Sequence, residues 1–571
     1  MTKILIKNLN LYPLLLGLVF FMFFPQITEH VEFAKILIGE IEYDQFNALG
    51  DRGKEFSSQI IIPAVLIDIG VNGNLLQLII SFLLTCIPFY AIFYLSKAIN
   101  PTDDLSVIKL FVITSCLLFV VEISNLNNYP IQFPTSYAEF GNSGMWTMLL
   151  IIGLLVCNKP IAGFFIGFLF SWHIIWFVAT IIFVLLYFAN NSSRKSYGKI
   201  STFNILLVVG FALSFLIYEL GQSYKDVSLG RESYSLAKIF LSRLLEPELV
   251  VSNADNMHNI HLLSSGIRGF IQKIFFLVFP LFLVLILSKN IHLNAFIDKI
   301  KAPLVALSII SFSAIFYIEI AGFIPLPGAD TLWSRAIINR YLNVTVLISL
   351  LLIIQILIKF MENKSRKSSE IYEVLFLLIS SVFLVGPLIF LVCILIYFLF
   401  LVCNFLFRNI SLMNIFTHNL SKLIISIFLV LLVMKVFTLH YVKYSLYSYL
   451  VPTDEVILYL SQYDENKSIV LGPQIPAIHS LNVGFLTSRD YYVMRDDVRD
   501  TFGALSNLYC KQSNSIIVGT VKDCFEKRSP NEWVDILELH NSNLVVVTND
   551  IKLNIELKAT NKYFSVYKVE K

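Results

Sequence analysis

The stretch Lys159–Phe188 reads KPIAGFFIGFLFSWHIIWFVATIIFVLLYF, and the number of helices in it decides the fold. No charge follows Lys159 until the cluster Arg194, Lys195 and Lys199. Basic residues gather on the cytoplasmic side of membrane proteins, so these two charged points share a side and an even number of crossings separates them. Two short helices, with a break near Ser171-Trp172-His173, satisfy that parity and one long helix does not.

The rest of the chain supports a lipid setting. Of its 571 residues, 56% are hydrophobic and 49 are Phe, and the mean hydropathy is +0.73, far above a soluble domain. The net charge of +3 is small for this length and argues against a nucleic-acid footprint, which needs Lys and Arg clustered on one face. The N-terminal run MTKILIKNLNLYPLLLGLVFFMFF has no small-residue cleavage site before PQITEH, and is expected to be a retained first helix with Lys3 and Lys7 in the cytoplasm.

Outward from the opening stretch, the apolar segments are 11–24, 75–95, 105–123 and 145–157 before it, and 203–220, 274–287, 303–320 and 344–360 after it. The run 371–407 is too long for one helix across a core of roughly 30 Å, and Gly386-Pro387 supplies a turn. With a last segment at 423–438, the expectation is a polytopic α-helical membrane protein of about thirteen spans, N-terminus inside and C-terminus outside. Residues 1–451 form the transmembrane part, with outer loops 25–73 and 221–272. Residues 452–571 alternate short β-rich runs (SIVLG, SIIVGT, NLVVVT, YFSVYKV) with helix-like stretches (DEVILYLSQY, RDTFGALSNLYCKQ, NEWVDILELH), the pattern of a small extracytoplasmic α/β domain. It contains no Gly-rich phosphate loop and no GxSxG elbow.

The first outer loop holds the acids. Glu40, Glu42 and Asp44 alternate in EIEYD: in an extended chain carboxylates share a side, and in a helix Glu40 and Asp44 share a face. Like-charge repulsion raises one pKa and prepares a base for an acceptor hydroxyl; otherwise the cluster is a solvated loop. Asp51 is a further candidate. Arg335 and Arg340 precede the 344–360 segment, where guanidinium groups either grip a phosphate or anchor the interface beside Trp333 and Tyr341. Arg231, in SLGRESY, is a candidate of the same kind. His173 marks the tip of the helix pair and either touches substrate or is a hydrogen-bonded structural residue. His258 and His261 are spaced i, i+3, but a metal site there needs ligands beyond Asp255. Arg489, Arg495 and Arg499 in TSRDYYVMRDDVRD either contact glycan or lie on a solvated face.

Of seven Cys, five lie in or beside apolar segments, while Cys510 and Cys524 lie in the polar C-terminal part, where pairing requires both an oxidising compartment and a geometry that spacing alone does not show. No CxxC or Cys/His cluster has metal spacing. No cofactor is assigned, and a divalent metal stays open. The ionisable residues within spans, Lys109, Glu122, Glu219 and Glu319, fall near segment ends, which disfavours an ion-coupled transporter. No inverted repeat is evident.

An acidic outer loop after one helix, the Gly-containing pair KPIAGFFIGFLFSWHIIW and a C-terminal outer α/β domain ending in YFSVYKV together resemble the GT-C superfamily of membrane glycosyltransferases. The resemblance implies transfer of a sugar from a polyprenyl-phosphate carrier to a glycan or lipid acceptor at the outer face of a bacterial inner membrane. It implies an Asp or Glu of the first outer loop as general base, with basic residues holding the phosphate. Where such enzymes carry an Asp-Asp or Asp-Glu pair, this chain has Glu40-Ile41-Glu42-Tyr43-Asp44. The alternatives are a lipid-linked glycan flippase and a non-catalytic envelope scaffold of the same plan.

Overall fold

The computed structural model describes residues 11–23, 30–38, 57–120, 140–190, 200–224, 291–321, 341–362, 455–461, 468–471, 491–493, 525–539, 542–549, 551–560 and 564–569. These are mostly helical. The helices are α1 Leu11–Phe23, α2 His30–Ile38, α3 Ser58–Asp68, α4 Gly73–Ile99, α5 Asp104–Val120, α6 Phe140–Val156, α7 Ile161–Trp172, α8 Ile174–Ala189, α9 Ile200–Ser223, α10 Ile291–Ala321 and α11 Leu342–Glu362. Among the described residues, two helices are long and apolar enough to cross a membrane by length and composition, Leu75–Ile99 and Ile200–Ser223.

The opening stretch is two helices. They meet at His173, whose φ of −160° and ψ of 100° are extended. This one residue closes α7, its N–H bonding to the Leu169 carbonyl, and opens α8, its carbonyl accepting from Phe177 N–H. At the other end of α7, Asn158 takes φ 55° and turns the chain out of α6. Asn tolerates this left-handed geometry better than most side chains. The N–H of Lys159 reaches back to the Leu154 carbonyl at 2.9 Å, and Pro160 then leads into α7.

Side-chain contacts fix the helix directions. At one end, Gly144 of α6 lies against Trp176 and His173. At the other, the Tyr187 hydroxyl of α8 donates to the Leu155 carbonyl of α6 at 3.3 Å. So α6 and α8 run the same way. Gly163 faces Phe203 and Gly167 faces Leu207 and Gly210, so α7 and α9 run together in the opposite sense. Absent side chains at Gly163, Gly167 and Gly210 allow this backbone-to-backbone approach, in the manner of small-residue membrane helix pairs. A main core of buried side chains from α4–α8, α10 and α11 fills the bundle.

Two boundaries differ from expectation. α10 is one helix from Ile291 to Ala321, whereas Lys299 and Lys301 read as a loop. Leu293, Phe296, Ile297, Ile300, Leu304 and Leu307 are buried at helical spacing, and this apolar stripe carries the helix through Pro303. The segment 25–73, expected to be a loop, contains two short helices; Ser57 caps α3 by accepting from the Gln59 N–H at 3.2 Å. The reading of segments 274–287, 371–407 and 423–438 lies outside the described residues.

The C-terminal residues form α12 Glu455–Ser461, β1 Ser468–Leu471, β2 Tyr491–Val493, α13 Pro530–Leu539, β3 Ser542–Thr548, β4 Glu556–Thr560 and β5 Phe564–Lys568. The sheet order is β2-β1-β3-β5-β4, with β1 parallel to β2 and β3, and β5 antiparallel to β3 and β4. The runs SIVL, NLVVVT and FSVYK are strands as expected; SIIVGT and the helix-like RDTFGALSNLYCKQ lie outside the described residues, and β2 and β4 are additions. Trp533 and Phe525 sit in the core of this unit, with the Arg528 guanidinium 5.3 Å and 5.2 Å from their ring centres. A second buried cluster continues from α2, α3 and Ile217 into Val456, Leu460 and the sheet residues Leu544, Val546 and Val566.

Candidate functional site

The candidate site joins the two short helices α2 and α3 to the α7–α8 junction. His30, at the start of α2, lies beside Gln59, in the first turn of α3, and Val31 and Lys35 of α2 lie against Gly73 at the start of α4. The connection 39–56 follows Ile38 and rejoins the described chain at Ser57, whose hydroxyl reaches the α7–α8 junction.

At that junction the backbone leaves an acceptor. The last carbonyls of a helix lack partners within it. The carbonyl of Trp172, the last residue of α7, accepts from Gln59 Nε2 at 2.8 Å and from Ser57 Oγ at 3.1 Å. The Gln59 Oε1 accepts from the His30 ring at 2.7 Å and from Ser143 Oγ at 2.8 Å. Gln59 and His30 are 2% and 1% exposed, so each bond is made away from bulk solvent. Burial lowers the His30 pKa to about 4, against the opposing bond to Gln59, and the ring is neutral at physiological pH. With Gln59 Oε1 as acceptor, His30 Nε2 carries the proton.

A third element arrives at the same place. Tyr341, immediately before α11, donates its hydroxyl to the Ile175 carbonyl at 3.0 Å, and its ring lies 5.6 Å from that of Trp176. The connections 39–56, 121–139 and 322–340 thus end on described residues that touch one apex: Ser57 and Gln59, Ser143 and Gly144, and Tyr341. The first of these connections carries Glu40, Glu42, Asp44 and Asp51, and the third carries Arg335 and Arg340.

Of the candidates read from sequence, His173 is described. It is half-buried at the apex, with Gly144 pressed against its Cβ. Glu40, Glu42, Asp44, Asp51, Arg231, Asp255, His258, His261, Arg335, Arg340, Arg489, Arg495, Arg499, Cys510 and Cys524 lie outside the described residues. Among the described residues no group of three His, Cys, Asp or Glu side chains is placed to hold a metal ion. Sequence reading passed over His30, Ser57, Gln59 and Ser143. Ser57 carried a signal, a Ser before the apolar run IIIPAVLI, which is a helix N-cap pattern; Gln59 and Ser143 carried none, because their partners are distant in sequence.

The far end of the bundle is polar in a different way. Asn100 and Gln355 exchange two amide hydrogen bonds of 2.9 and 2.8 Å. Lys359 pairs with Asp103 at 3.2 Å and donates to Ser106 Oγ at 3.0 Å. The bonds from Ser106, assisted by Lys359, hold the Asp103 carboxyl down at about 2. Lys97, Lys159 and Lys299 lie near enough to Cys157 at this end to act on it electrostatically. No protein-family model, no curated protein and no solved structure matches the chain.

Proposed function

We propose that the chain is a multi-pass glycosyltransferase of GT-C-like architecture in a bacterial inner membrane. It would move a sugar from a polyprenyl-phosphate-linked donor to an envelope glycan or lipid acceptor at the outer face. In this reading the apex of Trp172 and His173 is the outer end, and the end bearing Lys97, Lys159 and Lys299 is cytoplasmic. The clustering of those lysines supports that orientation, since basic residues favour the cytoplasmic side. The uncovered apolar face of α9, including Ile205, Val208 and Leu216, supports a lipid surround. About thirteen spans and an extracytoplasmic α/β domain at 452–571 belong to the same proposal.

One observation carries the functional reading: the acid-bearing connection 39–56 and the arginine-bearing connection 322–340 both end on residues packed at the α7–α8 tip. A carboxylate from the first, Asp44 or Glu42 with Glu40 beside them, takes the proton of an acceptor hydroxyl as it attacks the anomeric carbon. Arg335 and Arg340 from the second hold the departing phosphate by charge-assisted hydrogen bonds. Such a displacement requires a base and an anion clamp brought to one place from separate loops, and the shared anchorage of the two connections supports that reading.

The test is glycan synthesis in membranes carrying Glu42→Gln or Asp44→Asn. Loss of product on at least one substitution is the expected result, and full activity in both removes the base assignment. Flux of lipid-linked glycan into liposomes without a new glycosidic bond would identify a flippase instead. A reporter fused after Lys571 is expected outside, and a cytoplasmic signal refutes the topology.

A further inference from the structure

We infer that Gln59 is a positioning residue of this site, the side chain that keeps the α2–α3 pair in register with the α7–α8 tip; its catalytic consequence rests on the glycosyl-transfer reading. One carboxamide makes three bonds to three elements distant in sequence: the His30 ring of α2, Ser143 Oγ of α6 and the terminal carbonyl of α7. Its acceptor and donor atoms are both used, which no apolar side chain of the same shape reproduces. Ser57 adds a second link to the same carbonyl but reaches neither His30 nor Ser143.

The geometry gives this hub a specific effect. The acid-bearing connection begins after Ile38 and ends at Ser57, and Gln59 ties the helices on both sides of it to the tip. Apolar packing holds α2 against α3 through Val31, Phe33, Ala34, Ile60, Ile61 and Ala64, yet such packing is non-directional and permits sliding. The three hydrogen bonds fix the register along and about the helix axes. An error of about 1 Å in a reacting group costs on the order of a hundredfold in rate, so a loosened register lowers turnover while the carrier lipid still binds.

The experiment compares full-length wild type with Gln59→Met, close in size and without the three bonds, and with Gln59→Glu, which keeps the two acceptor bonds. Hydrogen–deuterium exchange in detergent is read by peptide. Gln59→Met is expected to speed exchange several-fold across α2 and the first turns of α3, leaving α4 and α9 unchanged, with Gln59→Glu intermediate. In membranes, kcat for glycan synthesis is expected to fall at least tenfold in Gln59→Met with the KM for the carrier-linked donor nearly unchanged. Unchanged exchange in α2 and α3, an equal rise in every helix, or an intact kcat overturns the inference. If Gln59→Met does not accumulate, Ser143→Ala removes one bond to the same carboxamide and is expected to speed exchange in the same peptides by a smaller factor; no change there overturns it equally. If wild-type membranes make no product, the glycosyl-transfer reading fails, while the exchange pattern still decides whether Gln59 sets the register.

Discussion

Replacing Gly167 with Ala is expected to destabilise the protein, although the change is favourable to an isolated helix. Ala exceeds Gly in helix propensity by about 1 kcal/mol, so at an open position of α7 the substitution would stabilise. At residue 167 the added Cβ would stand 2.5 Å from the Leu207 carbonyl oxygen, 2.6 Å from the Phe211 nitrogen and 2.8 Å from the Gly210 carbonyl carbon. All three are backbone atoms of α9, so relief requires the helix axes to separate by most of an ångström. Separation also stretches the bonds of Ser214 Oγ to the Gly167 carbonyl and to Ser171 Oγ, both 2.9 Å. Overpacking of this kind costs about 1–3 kcal/mol, and membrane side-chain hydrogen bonds add about 0.6 kcal/mol each. The sum exceeds the propensity gain, leaving a net loss on the order of 1–3 kcal/mol. Thermal unfolding of the purified protein in detergent, followed by loss of soluble folded material, checks it, with a drop of a few degrees expected. Gly221→Ala is the control: its new methyl meets the Cδ1 of Ile61 at 2.6 Å, the movable end of a side chain, and stability is expected to hold or rise. Equal or higher stability of Gly167→Ala, or an equal fall in Gly221→Ala, would refute the close α7–α9 approach.

Two further outcomes follow from the polar groups. The folded pKa of His30 lies below its unfolded value, so the unfolded chain takes up a proton first as pH falls. Stability is therefore full above about 6.5 and is lost between there and about 4, by up to roughly 3 kcal/mol; His30→Gln is expected to flatten that part of the stability–pH curve, and an unchanged slope counts against the buried neutral ring. Asn100→Leu leaves the Gln355 amide buried without its partner and is expected to cost about 1–3 kcal/mol, whereas Asn100→Leu with Gln355→Leu recovers most of it. A double-mutant cycle on thermal stability measures this, and simple additivity of the two losses would show that the amides do not pair.

The helix pair at 159–188 was legible because its signals are local. Asn158, Lys159 and Pro160 mark the turn, the Arg194 cluster sets parity, and a Ser-Trp-His interruption divides the apolar run. Strands β1, β3 and β5 were legible for the same reason, as short runs of Val, Ile and aromatic residues. The Tyr-Tyr-Val run at 491–493 was hidden by the charges that flank it in TSRDYYVMRDDVRD, and 556–560, ELKAT, by its polar composition; pairing with β1 and β5 places both in the sheet. The same contrast runs through α10, where Lys299 and Lys301 suggested a loop and a buried stripe on either side of Pro303 carried the helix through.

By itself the sequence determined the apolar character of the chain, the strand runs near its C-terminus and the break at His173, since these depend on composition and on neighbours a few positions away. The meeting of His30, Gln59, Ser143 and the Trp172 carbonyl was decided by tertiary structure. Gln59 is separated by 113 residues from the carbonyl it binds, and the donors and acceptors involved are too common to reveal partners from spacing. Only when the small-residue face of α7 lets α9 approach, and α6 and α8 align beside it, do these groups share a buried place where each hydrogen bond must be made.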